Sequence, residues 1–340
     1  MKRKGIAIGG NWLIDYVKLI DVYPSQDTLA NISSQSHGNG GCAYTTLKDL
    51  AKLGAPFPLF GLGLIGKDPA GQQILDDCKK LKINTGQLRQ TDKAPTSYTD
   101  VMTVTSTGRR TFFHNRGANA RWAPKDVDLK KIPAKIFHLG YLLLLDQFDQ
   151  TDPQYGSVAA RFLASVQKAG LKTSIDAVSE DSNRFPTFVK PALKFVDYCI
   201  LNEIEAGRTT GHKIRTLDQK IDIQALKDST EQLLSSGVSE LVVIHFPEGA
   251  YAMTKKGETL FQPSLKVPGE FIKGTVGAGD AFAAGVLYGL HEGAPLKKTL
   301  EFGVCTAAVS LAHPTASHSI IKLPGALKLA KKFGYRGSLL

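Results

Sequence analysis

Apolar and polar positions fall along this chain in alternating blocks. Four apolar runs of strand length, FHLGYLLL, TSIDAV, DYCIL and ELVVIHF, are separated by stretches with helical spacing at about 155–169, 186–195 and 222–236. Residues 5–9 read as a further buried strand. Residues 13–20 are rich in strand formers, and 21–39 then turns polar. This alternation predicts an α/β fold, a three-layer α/β/α arrangement with a mostly parallel central sheet and helices on both faces. Ligands of such sheets sit at the carboxyl ends of the strands. Asp176, Asn202 with Glu205, and His245 fall at such ends.

The pattern also marks where elements stop. After Gly40-Gly41, helical spacing at Ala43, Leu47, Leu50 and Ala51 runs to a stop at Gly54. SYTDVMTVT (97–105) and RRTFFH (109–114), joined by Ser-Thr-Gly, predict a hairpin that builds a small accessory sheet with 13–20. The segment GLGLIGKD (61–68) fits G-x-G-x-x-G and nearly fits a P-loop, but a P-loop lysine is followed by Ser or Thr, not aspartate. Asp68 and Pro69 supply a cap and a first-turn proline. A helix is therefore expected from about Pro69 to Leu81, with the glycines as a loop before it. That start is too late for a nicotinamide dinucleotide fingerprint.

Composition narrows the classes. The chain has 340 residues, 42% hydrophobic and 21% charged, as an ordinary globule with ample core does. Its longest apolar stretches, such as AFAAGVLYGL, fall short of a membrane span of about 20 residues. The net charge of +11 resides mainly in Lys2, Arg3 and Lys4 at one end and Lys322, Lys328, Lys331, Lys332 and Arg336 at the other. No basic face interleaved with aromatics is seen inside, so no nucleic-acid partner is expected. The four cysteines form no C-x-x-C, and H-E-x-x-H is absent although His313 and His318 lie close in sequence. Neither a zinc site nor a disulfide framework is expected. MKRK runs straight into GIAIGG with no apolar leader, which gives a cytoplasmic expectation.

The chemistry concentrates in IKGTVGAGDAFAAGVLYGLH (272–291). Gly277, Ala278 and Gly279 form a small-residue turn, Asp280 closes it, and Phe282, Val286 and Leu287 follow at helical spacing. Free amides at a helix start, with the helix dipole behind them, make an anion site. An aspartate there repels an anion unless it faces an attacking hydroxyl. By itself the turn reads first as an ordinary capped helix start, and it gains weight only from its companions elsewhere in the chain. Gly285 and Gly289 share one helix face and would let a neighbour pack closely.

Taken together, these motifs resemble the ribokinase-like (PfkB) carbohydrate kinases over about residues 5 to 325. GGNWLID resembles the segment whose aspartate, here Asp15, binds sugar hydroxyls. Gly40-Gly41 and the helix after it resemble the first family signature, with Thr45 where asparagine is usual. GLIGKDPAG matches a G-x-x-G-x-D-x-x-G turn, Asn202 to Glu205 matches N-x-x-E, and Thr275 to Asp280 matches the second signature. The usual aspartate before that threonine is Gly274 here. HFPEGA offers Gly249 where a glycine lies beside the nucleotide, and HPTASHSI, with Ser319, resembles the segment near the adenine.

The resemblance implies one ribokinase-like kinase domain over 1–340, with a β-rich lid at 12–37 and 95–117. It implies transfer of the γ-phosphoryl group of ATP to a sugar or sugar acid. Asp280 is then the base, with Gly277, Ala278 and Gly279 as the anion hole. Asp15, Gly40, Gly41 and Thr45 hold the substrate, and Asn202, Thr275, Gly249 and Ser319 the nucleotide. Glu205 holds Mg2+ through water. The lid strands of this family often pair between subunits, which implies a possible homodimer. A nucleoside kinase and a non-catalytic sugar or nucleotide sensor on the same fold stay open as alternatives. Arg109, Arg110, Arg116 and Arg121 read either as substrate contacts or as a solvated hairpin face.

Overall fold

The computed structural model describes residues 3–339. Its first half runs β1 (Ile6–Gly10), β2 (Leu13–Ile20), β3 (Ile32–Gly40), α1 (Cys42–Leu53), β4 (Leu59–Gly66), α2 (Pro69–Lys80), β5 (Asn84–Thr91), β6 (Ser97–Val104), β7 (Arg110–Asn115) and β8 (Ile136–Leu142). A short hairpin, β9 (Thr151–Asp152) and β10 (Gly156–Ser157), leads into α3 (Val158–Lys168), β11 (Lys172–Ala177), α4 (Phe185–Ala192), β12 (Tyr198–Asn202) and α5 (Glu203–Thr210). Then follow α6 (Ile223–Ser235), β13 (Leu241–Phe246), β14 (Gly249–Thr254), β15 (Thr259–Pro263), α7 (Ala278–Glu292), α8 (Leu296–Ser310) and α9 (Leu323–Phe333).

The central sheet has the order β15-β14-β13-β12-β11-β8-β1-β4-β5. It is parallel from β13 to β5, and β14 and β15 add an antiparallel edge. Alternate residues of each strand feed opposite cores, as the pleat requires. Ile6 and Ile8 pack with Leu47 of α1, Val286 of α7 and Leu300 of α8. Ala7 and Phe137 face the other way, toward Phe162 of α3, Val189 of α4 and Leu233 of α6. Each fully buried side chain of this size stabilises the fold by roughly 1.5–3 kcal/mol. No helix among the described residues is long and apolar enough to cross a membrane.

Two glycines fix where α7 lies. A Cβ on Gly285 would stand 2.4 Å from the Phe302 carbonyl oxygen, and one on Gly289 2.7 Å from Thr299 Oγ1. Helices α7 and α8 therefore meet almost backbone to backbone, as the shared face of the two glycines predicts.

A second sheet, ordered β3-β2-β6-β7, crosses the carboxyl-end side of the first. Its strands β2 and β6 are parallel, and the outer pairs are antiparallel. Val17 and Val101 pack from it onto Val276 and Ala316. Strand β3 arises from the polar stretch 21–39. Most of its side chains are exposed, and it is held by its ladder to β2 rather than by an apolar face.

The glycine run at 61–66 corrects the sequence expectation. It is not a loop but most of β4. The reason is Trp12, fully buried, whose ring lies against this strand. Added Cβ atoms at Gly61 and Gly63 would come within 2.7 and 2.3 Å of the indole, whose Nε1 donates to the Leu62 carbonyl at 2.8 Å. The other half of that expectation holds. Asp68 caps α2 by accepting from the Gly71 amide at 2.8 Å, and the helix starts at Pro69.

Candidate active site

A cavity of about 700 Å³ opens at the carboxyl ends of β8, β11 and β12, between them, the start of α7 and the second sheet. Asp15, Gly41, Thr45, Asn202, Glu205 and the run Thr275 to Asp280 all line it.

Its floor is the glycine turn. Gly277 takes φ +74° to reverse the chain into α7, and a Cβ there would lie 2.4 Å from that of Ala316, so only glycine fits. No side chain caps the helix. The Ala278 amide turns back to the Thr275 carbonyl at 3.3 Å. The amides of Gly279 and Asp280 are first-turn donors with no carbonyl four residues back inside the helix to take them. Helix propensity alone would not place a left-handed glycine here, and the turn leaves those donors at residues that line the cavity.

Asp280 is buried, and the Tyr141 hydroxyl donates to its Oδ1 at 2.6 Å. Burial holds this carboxyl well above the usual range, the charge of Asp176 adds to that, and the Tyr141 hydrogen bond opposes it. Across the cavity Asp15, on β2, is pushed up to about 7 by burial, against the hydroxyl of Thr99 and the charge of Arg110. Gly40 does not line the cavity. It lies beneath Asp15, and a Cβ on it would reach within 2.4 Å of Oδ2. Gly41, at φ +79°, opens α1 with no room beyond the Asn11 carbonyl, 2.6 Å from its added Cβ. Thr45 Oγ1 accepts from Asn39 Nδ2 at 3.1 Å, and the same nitrogen donates to Ser317 Oγ at 2.8 Å.

Asn202 and Glu205 form a reciprocal capping box at the start of α5. The Asn202 side chain accepts from the Ile204 and Glu205 amides, both at 2.9 Å, and Glu205 Oε2 accepts from the Asn202 amide at 2.9 Å. Ser179 Oγ donates to Glu205 Oε1 at 2.8 Å. Burial pushes the Glu205 carboxyl up to about 8. The structural role of this pair is thus filled, and both residues still face the cavity. His245 lines it too. Burial pushes that imidazole down to about 4, and its ring lies 4.7 Å from that of Phe282. Burial thus favours the neutral ring.

Two expected nucleotide contacts lie elsewhere. Gly249 starts β14 at the tight turn after β13, where an added Cβ would meet the Gln262 carbonyl at 2.5 Å. Ser319 Oγ donates to the Val309 and Ser310 carbonyls at the end of α8. Neither lines the cavity. Of the four arginines only Arg110 does, while Arg116 pairs with Asp146 at 2.5 Å. The sequence reading missed Tyr141 and Asn39. Tyr141 carries the one available signal, a polar-tipped residue at the carboxyl end of an apolar strand.

A family model described as pfkB family carbohydrate kinase matches residues 10–323. A ribokinase from Schizosaccharomyces pombe is 24% identical over 302 residues, 87% of this chain and 88% of the relative. The structure of Arabidopsis thaliana ribokinase complexed with ribose and ATP superposes with a TM-score of 0.74 at 20% identity, covering 97% of this chain and 99% of that one. A Burkholderia thailandensis nucleoside kinase in complex with inosine gives 0.75 at 18% identity, covering 98% and 100%. At these identities the solved structures establish the fold, a three-layer ribokinase-like one.

Proposed function

The chain belongs to the pfkB family of carbohydrate kinases, and from that premise we propose that it is an ATP-dependent kinase acting on a hydroxyl of a sugar or sugar acid. One observation carries the reading: a buried carboxylate, Asp280, closes a left-handed glycine turn at the N-terminus of α7 on the floor of a cavity.

In this reading the acceptor hydroxyl is held between Asp15 and Asp280. Its oxygen attacks the γ-phosphorus, the bond to the leaving ADP oxygen breaks, and the hydroxyl proton passes to Asp280. Transfer runs through a loose transition state, so positioning and charge neutralisation do most of the work. The Gly279 and Asp280 amides meet the transferring group. Tyr141 aims the Asp280 carboxylate by its 2.6 Å hydrogen bond. Asn202 and Thr275 face the nucleotide phosphates. The second sheet, with Arg110 and Phe112 on the cavity wall, acts as a lid that excludes water. Its exposed Ile32 and Phe113 offer a second copy an apolar contact for a homodimer on the side away from the cavity.

The donors suit magnesium held through water. Both Glu205 oxygens already accept hydrogen bonds, from Asn202 and Ser179, so its remaining lone pairs suit metal-bound waters better than direct ligation. Bound there, magnesium would neutralise charge on the phosphates.

Phe112 also favours a second reading, since an aromatic ring on the cavity wall can stack on a base. An ADP-release screen with ATP and magnesium across sugars, sugar acids and nucleosides tests both. Turnover with none of them, in protein shown to bind ATP, would leave the sensor reading.

A further inference from the structure

Just beneath the cavity floor three side chains from separate elements converge. Cys42 opens α1, His138 lies on β8 and Asp176 ends β11, and one ligand-type atom from each lies within 4.8 Å of the others. All three residues are buried, His138 completely. Three such residues are often plain core: a small apolar thiol, a hydrogen-bonded histidine and an acid at a strand end. Here two polar atoms remain unanswered. His138 Nε2 and Asp176 Oδ1 have no hydrogen-bond partner among the described residues. Buried polar atoms are rarely left so.

His138 Nε2 stands 3.6 Å from Asp176 Oδ2. That is long for a hydrogen bond and close to the edge of a tetrahedron around an ion with bonds of ~2.0–2.3 Å. The other ring nitrogen, Nδ1, is hydrogen-bonded to Ser174 Oγ at 2.9 Å, which turns Nε2 toward the cluster. An outer partner of this kind is what metal-binding histidines usually have. Gly140 keeps the space clear, since a Cβ there would lie 1.9 Å from Asp176 Oδ1 and 2.4 Å from Cys42 Sγ. Asp176 also lines the cavity, which gives an ion its way in and a water its fourth position.

We propose that Cys42, His138 and Asp176 form a site for a zinc-class divalent ion. A thiolate, an imidazole and a carboxylate select zinc or cobalt over magnesium, which prefers six oxygens. The site is therefore separate from the magnesium that accompanies ATP. Binding releases the Cys42 thiol proton to solvent as the sulfur–metal bond forms. No sequence spacing announces it, because the ligands lie on three elements far apart in the chain.

The test titrates the full chain, stripped by a chelator, with cobalt in excess magnesium, followed by zinc competition against a metallochromic indicator. The expected result is one equivalent bound, a thiolate-to-cobalt charge-transfer band, and displacement by zinc. Ser174→Ala should weaken zinc by about 10–100-fold with the band retained. Cys42→Ser should abolish the band and weaken zinc at least as much. Absence of the band at saturation overturns the proposal. So does unchanged affinity in Cys42→Ser, which would put the ion elsewhere, for instance at the stacked His313–His318 pair. Should Cys42→Ser not fold, X-ray absorption at the zinc edge of the zinc-loaded natural chain replaces it. A sulfur in the first shell at ~2.3 Å supports the site, and a shell of nitrogen and oxygen alone refutes it.

Discussion

The Tyr141 hydroxyl donates to Asp280 Oδ1 at 2.6 Å, joining the end of β8 to the first turn of α7. The bond favours the ionised carboxylate, while burial and the Asp176 charge favour the protonated one. Tyr141→Phe should therefore raise the Asp280 pKa further. The acid limb of the kcat–pH profile moves to higher pH, and kcat near neutrality falls about tenfold, the worth of one charged hydrogen bond. An unmoved limb would separate Tyr141 from the chemistry.

Asp280→Asn should keep the fold and ATP binding while lowering kcat by at least ~10²-fold, the low end for a general base. Isothermal titration with ATP and steady-state kinetics check the two halves. Near-normal turnover removes Asp280 from its role.

Gly279 is a cleaner probe of the turn than Gly277. An added Cβ meets only the His245 ring, Cε1 at 3.4 Å and Nε2 at 3.9 Å, whereas Gly277 is conformationally fixed. Gly279→Ala should leave Tm equal or higher, since alanine favours a helix over glycine by roughly 0.5–1 kcal/mol. The methyl group would displace the phosphoryl group and cost about 10²-fold in kcat. Unchanged turnover per folded molecule would make the turn purely structural.

Gly274, where the family resemblance implies an aspartate, lies in a tight place. A Cβ on it would stand 2.7 Å from Pro314 Cα and 3.0 Å from the carbonyl oxygens of both His313 and Pro314. Activity should change little between potassium and a bulky organic cation at fixed ionic strength. Gly274→Asp should lower stability by about 1–3 kcal/mol through overpacking, without creating a potassium response. Strong, saturable potassium activation of the natural chain contradicts this.

Stability should fall as pH rises above 5. Asp15 and Asp49, both buried, have carboxyls pushed up to about 7 by burial, against an unfolded value of ~3.9. Between those values the folded state binds more protons than the unfolded one, so each pH unit costs up to about 1.4 kcal/mol per group. His114 and His245, held down to about 4 by burial, oppose this fall only below their unfolded value of ~6.5. Asp68 and Asp197, whose pKa values are lowered, lose their contribution only in more acidic solution. Calorimetry should give a higher Tm at pH 5.5 than at pH 8, with a smaller gap in Asp49→Asn. A Tm that rises over this range refutes it.

What the sequence made legible was local. The turn at Gly277–Asp280, the capping box at Asn202 and the Asp68 cap each write their signal within a few residues, and the structure has all three. The parallel sheet was legible because its buried strands are continuous apolar runs. Strand β3 was not, because an exposed ladder needs no apolar period. Asn39 was hidden for another reason: its partner Ser317 is 278 positions away. Tyr141 likewise meets Asp280 across 139 positions, a meeting that only the packed sheet arranges.

The indole of Trp12 and the bare strand at Gly61 and Gly63 share one fixed volume. Neither side can grow unless the other shrinks, so positions 12, 61 and 63 are bound to drift together or not at all as sequences diverge. A motif that looks like a phosphate loop is then the imprint of a tryptophan. Any reading of glycine patterns in such chains must ask first which ring lies on them.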